Sequence, residues 1–207
     1  MDNQLVTLKN VSYTINKNFI LKNISLEITR NKPTAIMGMN GAGKTTLLKI
    51  LAGIYKPTRG NVLFNPPYLK NTKISYLFQH HIFLDRTVFN NLLHSLTFTN
   101  DDNKNHISMI NDYLSKFNLI KYSNSHINEL SSGERQLVSI IRTLLIDSDI
   151  FFLDEPFNNL DQNYRELVNN LFIELAKIKK IIFITHSINE AKLLTDEILI
   201  LKDGVLQ

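Results

Sequence analysis

The chain has 207 residues, 43% apolar and 20% charged, enough for one large domain or a core with an appended lobe that need not be disordered, and its length excludes both an isolated peptide motif and a long multidomain array. Lysine and arginine total 23 against 19 acidic residues, and a net charge of +4 dispersed along the chain argues against nucleic acid as the ligand. With no cysteine, structural disulfides and thiolate metal sites are excluded and a reducing compartment, by default the cytoplasm, is expected.

The start MDNQLVTLKN lacks the basic-then-apolar order of a leader. Leu5 to Tyr13 is a candidate strand, Asn16 to Asn18 supplies a turn, and Ile24, Leu26 and Ile28 alternate with Ser25, Glu27 and Thr29 as in a half-buried antiparallel strand. Thr34 to Met37 is a short apolar strand. A glycine-rich stretch follows, and Leu47, Leu48 and Leu51 then share a helical face until Gly53 ends the helix. From about His80 the texture turns helical: Leu92, Leu93, Leu96, Ile110, Leu114 and Phe117 recur at helical spacing around a polar segment, Thr99 to Asn105. Ile150 to Leu153 and Ile181 to Ile184 are continuous apolar runs, as in parallel strands covered on both faces. Leu167, Leu171 and Leu175 between them predict a crossover helix. Glu197 to Leu201 predicts a last strand and Asp203-Gly204 a turn, with no further domain expected. No apolar run approaches the roughly 18 residues that span a bilayer, so a membrane role would be peripheral.

Gly38-Met39-Asn40-Gly41-Ala42-Gly43-Lys44-Thr45 matches G-x-x-x-x-G-K-[ST] between a predicted strand and a predicted helix, the context in which backbone N–H groups and a helix N-terminus cradle phosphate. Lys44 would reach the β and γ phosphates, and Thr45 would offer a hydroxyl to Mg²⁺, with Thr46 beside it in the same nucleotide site. The apolar strand Ile150 to Leu153 ends in Asp154-Glu155-Pro156, which presents two carboxylates at the C-terminal edge of a parallel sheet. Asp154 is the expected metal-shell ligand and Glu155 the group that orients a water for attack. The expected fold is therefore α/β: a P-loop NTPase core of mixed sheet flanked by helices, with an N-terminal antiparallel β subdomain. A helical subdomain, residues 80–135, is expected as an insertion in this single domain.

A third motif, Leu130-Ser131-Ser132-Gly133-Glu134-Arg135-Gln136, lies between the helical segment and the acidic strand. Alone it reads equally as a helix N-cap, but in this order the three motifs resemble those of ATP-binding cassette ATPases, whose signature is usually written LSGGQ. The resemblance covers the whole chain. It implies that Ser131, Ser132, Gly133 and Glu134 act on a partner subunit's ATP and that Tyr13 stacks on adenine. It also implies that Gln79 reaches metal and water, that Leu160-Asp161 ends a loop facing the other subunit, and that His186 contacts the γ phosphate. Ser132, Glu134 and Asn158-Asn159 depart from the usual pattern, Ser132 with most consequence for rate. The remaining histidines, His80, His81, His94, His106 and His126, read as ordinary polar residues.

By the same resemblance, two cassettes sandwich two ATP molecules with Mg²⁺, and hydrolysis opens the dimer. The implied partners are a second such subunit, an integral membrane permease docking near Gln79 and Ile82-Phe83-Leu84, and a solute-binding protein, with the chain at the cytoplasmic face of the membrane. A separate cassette leans toward a bacterial importer. The alternative is a cassette acting on nucleic acid or ribosomes.

Overall fold

The computed structural model describes residues 4–64, 72–97 and 105–207. The antiparallel start folds as expected: β1 (Gln4–Ile15) and β2 (Asn18–Thr29) form a hairpin, and β4 (Arg59–Phe64) pairs on the other side of β1. The pattern did not announce β4, because it is largely exposed and only Val62 and Phe64 turn partly inward. A second sheet has the order β5-β6-β7-β3-β8-β9, built from β3 (Thr34–Met37), β5 (Ile74–Leu77), β6 (Ile150–Asp154), β7 (Lys180–Ile184), β8 (Ile198–Lys202) and β9 (Val205–Leu206). Its first five strands are parallel, and β9 returns antiparallel through the turn at Asp203-Gly204.

The apolar runs of β6 and β7 are buried along their whole length because each face of the sheet is covered. Ile150, Phe152, Ile182 and Ile184 turn toward a core shared with α1 (Lys44–Leu51), β1 and β2. Phe151, Leu153, Ile181 and Phe183 turn the other way, into a core shared with α2 (Val88–Leu96), α3 (His106–Lys116), α4 (Ser132–Leu144) and α5 (Gln162–Ala176). Period-two alternation thus sends adjacent phenylalanines to different cores, and truncating either would cost about 3–5 kcal/mol.

On α5 the fully buried residues are Val168 and Phe172. Leu167, Leu171 and Leu175 flank them half-buried, so the expected stripe borders the contact face. α2, α3 and two short 3₁₀ turns, Ile120–Tyr122 and Ile127–Glu129, lie between β5 and α4, and α4 packs on α2 and β5. A boundary near residue 135 therefore falls inside α4. Of the polar segment expected from Thr99 to Asn105, only Asn105 is among the described residues. α6 (Ile188–Leu194) packs on α5.

Candidate nucleotide site

The register of the parallel sheet levels four strand ends. Ile36 of β3 pairs with Ile184 of β7, Ile184 with Asp154 of β6, and Leu153 with Leu77 of β5. Whatever follows those residues must emerge along one edge, where α/β sheets bind ligands. A cleft of about 580 Å³ opens there, lined by Ile20, Asn40, Gly41, Gly43, Lys44, Thr45, Thr46, Gln79, Glu155, Asn158 and His186. A cleft of the same size near Leu5, Arg30, Asp149 and Lys180 contains none of the motif residues.

Backbone conformation makes the first wall. Gly43 precedes α1 at φ +101°, and a Cβ there would come within 2.9 Å of the Ile20 carbonyl and of Leu21 Cδ2, so only glycine fits. α1 begins with no side-chain cap and no acidic residue in its first turn, which leaves its N–H groups available to an anion. Ile20 is the extra residue of a bulge between the pairs Tyr13–Leu21 and Thr14–Phe19, which takes it out of the ladder and into the cleft wall. Lys44 is 6% exposed and donates to the carbonyls of Gly38 and Met39, both at 3.0 Å. Burial lowers its pKa, while Glu155 and Asp154 work in the opposite direction.

Asp154 is 1% exposed; its Oδ1 accepts from Thr45 Oγ1 at 3.2 Å, and Tyr76 lies at its other oxygen. Burial holds its pKa above the ordinary value, and the neighbouring Glu155 charge adds to that. Glu155 sits at φ +53°, a left-handed conformation that costs a non-glycine residue about 1–3 kcal/mol and recurs at functional positions. Three side chains donate to its carboxylate. Gln79 Nε2 lies 3.0 Å from Oε2, Asn158 Nδ2 reaches the same oxygen, and His186 Nε2 is 2.8 Å from Oε1. Burial would raise the Glu155 pKa, but these bonds and the His186 charge outweigh it, so the net shift is downward and the group is ionised at neutral pH. A carboxylate offers about four lone-pair positions, so three donors leave room for a water.

The structure thus brings Gln79, Glu155, Asp154, His186 and the phosphate loop together. Asn158, read from sequence only as a departure, is a direct partner of Glu155. His186 is steadied from below. Thr185 donates to Glu190, Arg165 bonds Glu190 at 2.6 Å, and the same guanidinium reaches the carbonyls of Phe157 and Leu160. Asp161 caps α5 by accepting from Tyr164 N at 2.9 Å.

Gly38, Met39, Ala42 and Asp154 are next in sequence or hydrogen-bonded to lining residues without lining the cleft themselves, and Tyr13 and the residues from Ser131 to Glu134 are also outside its lining. Tyr13 stacks on Tyr55, with ring centroids 5.5 Å apart and planes 7° from parallel, so one face of its ring is already covered. Ser131 and Ser132 are exposed at the start of α4, where Ser131 and Glu134 close a capping box. Ser131 Oγ accepts from Glu134 N at 3.3 Å, and Glu134 Oε2 takes the Ser131 N–H and hydroxyl at 2.8 and 2.7 Å. Gly133 is needed for close packing on the loop after β6, since a Cβ would approach the Asn159 carbonyl to 2.7 Å.

His81 is a correction: it is no ordinary polar residue, because its Nε2 meets the buried amide of Gln136, which also donates to the Pro156 carbonyl at 2.8 Å. Gln136 closes the third motif in sequence, but only the long-range contacts give it and His81 a role.

The sequence profile of the ABC transporter family matches residues 21–158. A spermidine/putrescine import ATP-binding protein PotA of Borreliella afzelii is 32% identical over all of this chain, which spans about 62% of that relative's length. The lipoprotein-releasing system ATP-binding protein LolD of Buchnera aphidicola is 34% identical over 75% of this chain and 74% of its own. A dimeric post-hydrolysis structure of the ATP-binding cassette MJ0796, bound to ADP and Pi, superposes with a TM-score of 0.85 at 28% identity, covering 98% of this chain and 97% of the other.

Proposed function

This chain belongs to the ABC transporter family, and we propose that it is the ATP-hydrolysing subunit of a membrane importer, working through a separate permease and a solute-binding protein. The observation that carries this reading is the convergence on one cleft of an uncapped helix N-terminus, Lys44, the Thr45–Asp154 pair and a triply bonded Glu155. ATP binds with its phosphates on the N–H groups of the loop from Gly38 to Thr46. Lys44 exchanges its two carbonyl acceptors for phosphate oxygens, a stronger charge-assisted contact.

Thr45 and Asp154 supply hard oxygen donors 3.2 Å apart, with Gln79 lining the same cleft, a set that fits Mg²⁺. When bound, Mg²⁺ neutralises phosphate charge. Glu155 orients the attacking water through its remaining lone pair, Gln79 and Asn158 hold Oε2, and His186 at Oε1 stands where it can meet the γ phosphate.

A dimer is the proposed active form, with Ser131 to Glu134 of each copy reaching the partner's nucleotide. The dimeric cassette structure supports it. Ile82 is 84% exposed beside the loop that carries Gln79, and this apolar surface is the proposed seat of the permease at the cytoplasmic face. Among the described residues no helix is long and apolar enough to cross a membrane. The import direction is supported by polyamine-import relatives that align along the whole chain. No observation favours the nucleic-acid alternative, and the relatives reported above carry transport names.

The test is phosphate release by the purified chain with Mg²⁺ and ATP, followed by co-purification from native membranes. Hydrolysis together with an integral membrane partner supports the reading. Absence of hydrolysis in the presence of that partner overturns it.

A further inference from the structure

We propose that Gln136, inside α4, is a positioning residue for hydrolysis: with His81 it holds the loop that carries Gln79 in register with the loop that carries Glu155. The proposal rests on the reading above that Gln79 and Glu155 serve the reaction.

Gln136 is 2% exposed and lies early in α4. Its side-chain amide is shared between two loops that leave adjacent strands. Nε2 donates to the carbonyl of Pro156, next to Glu155, and Oε1 meets Nε2 of His81, just past Gln79. The orientation of the amide follows from its partners. A proline carbonyl only accepts, so the NH₂ faces Pro156 and the oxygen faces His81, whose Nε2 must carry the hydrogen. His81 Nδ1 is then a lone-pair nitrogen. It is buried and makes no hydrogen bond of normal geometry. Burial lowers the His81 pKa, with help from the Arg142 and His80 charges and against the pull of its hydrogen bond to Gln136 Oε1 and of the nearby Phe78 carbonyl.

The same helix grips the loop a second time. Arg142 Nη1 donates to the Ile82 carbonyl at 2.8 Å, and its guanidinium lies 4.9 Å from the centre of the Phe83 ring. The far end of the loop would therefore stay anchored if the Gln136 bridge were removed, while the end near Gln79 would loosen. That end matters because Gln79 holds Glu155 at 3.0 Å, and Glu155 is already strained at φ +53°. A misplacement of about 1 Å at a reacting centre costs on the order of 100-fold in rate. Since Gln136 lies within α4, which Ser131 caps, the bridge also makes any shift of that helix a shift of both loops together.

The experiment combines steady-state kinetics, titration with a fluorescent ATP analogue and hydrogen exchange. Gln136→Leu should lower kcat about 10- to 100-fold, with KM and analogue affinity within about twofold. His81→Leu, which leaves the Gln136–Pro156 bond in place and guards against a misfolded first variant, should lower kcat less. His81→Asn, which keeps an N–H for Gln136, should recover most of the rate. The double Leu variant should be no worse than Gln136→Leu alone, because one bridge is removed in both. Amide exchange in residues 79–84 should accelerate in both Leu variants.

Unaltered kcat in His81→Leu, losses that multiply in the double variant, or unchanged exchange would each overturn the bridge. If the unaltered chain releases no phosphate, the ATPase reading falls, and the exchange measurement still decides the bridge.

Discussion

Two helix N-termini serve the same proposed ligand and are built in opposite ways. α1 follows Gly43, has no side-chain cap and has no acid in its first turn, so its donors face the cleft unclaimed. α4 follows Ser131, is closed by a reciprocal capping box and carries Glu134 in its first turn. An open end accepts an anion at once, because free N–H groups and the helix dipole both favour negative charge. A closed end first has to surrender the donors that its own carboxylate holds. On the proposed reading, nucleotide binding within one copy belongs to α1, whereas engagement of α4 waits for a partner whose triphosphate outcompetes Glu134.

Separating binding from hydrolysis breaks this comparison most forcefully. Glu155→Gln should lose about 10²–10⁴-fold in turnover, keep analogue affinity and accumulate an ATP-bound dimer on size-exclusion chromatography. Normal turnover would remove Glu155 from its role, and a monomer with ATP would remove α4 from the composite site.

Next in size is Lys44→Ala, which takes away the cation at the open end. Affinity for a fluorescent ATP analogue should fall about 10- to 100-fold, in line with the worth of a charge-assisted hydrogen bond. An unchanged titration would mean that the loop backbone alone supplies binding.

The closed end is probed by Glu134→Gln, which keeps a side chain able to accept the Ser131 N–H and removes the charge. One charge in a first helical turn is worth about 0.3–1 kcal/mol, so ATP-driven dimerisation should tighten about two- to fivefold by analytical ultracentrifugation. Weaker dimerisation would mean that the carboxylate helps the interface.

The smallest effect expected is on stability. His81 has a folded pKa below its ordinary 6.5, so its neutral form contributes fully above pH 6.5. As pH falls through that window the unfolded chain takes the proton first, and stability drops until the folded ring also charges. Between about pH 7.5 and about pH 5.5 the melting temperature should fall more steeply for the unaltered chain than for His81→Asn. Parallel curves would contradict a buried neutral ring.

Much of the site was legible because phosphate chemistry places its residues at strand ends and in short turns. The glycine loop and Asp154-Glu155 were read from that pattern, whereas Gln79 and His186 were singled out by the resemblance to cassette ATPases; all four follow an apolar run and emerge at the same edge. Residues whose meaning depends on a distant neighbour stayed hidden. Asn158 acquires a role only because Glu155 turns back at positive φ, and His81 only because α4 brings Gln136 to it. Tyr13 is a strand aromatic by pattern, but no pattern could foretell that Tyr55 covers one face of its ring. β4 escaped because an exposed edge strand carries too little apolar alternation to be recognised.

From the amino-acid order alone came the strand–loop–helix unit with its lysine, the acidic strand end, the parallel crossover and the resemblance to cassette ATPases. These are properties of neighbouring residues, set by backbone conformation and by burial period. Folding alone decided the order β5-β6-β7-β3-β8, which brings four separated strand ends to one cleft, and the donor set around Glu155. Hydrogen bonds between residues far apart in the chain have no local signature, because their partners are chosen by packing rather than by spacing.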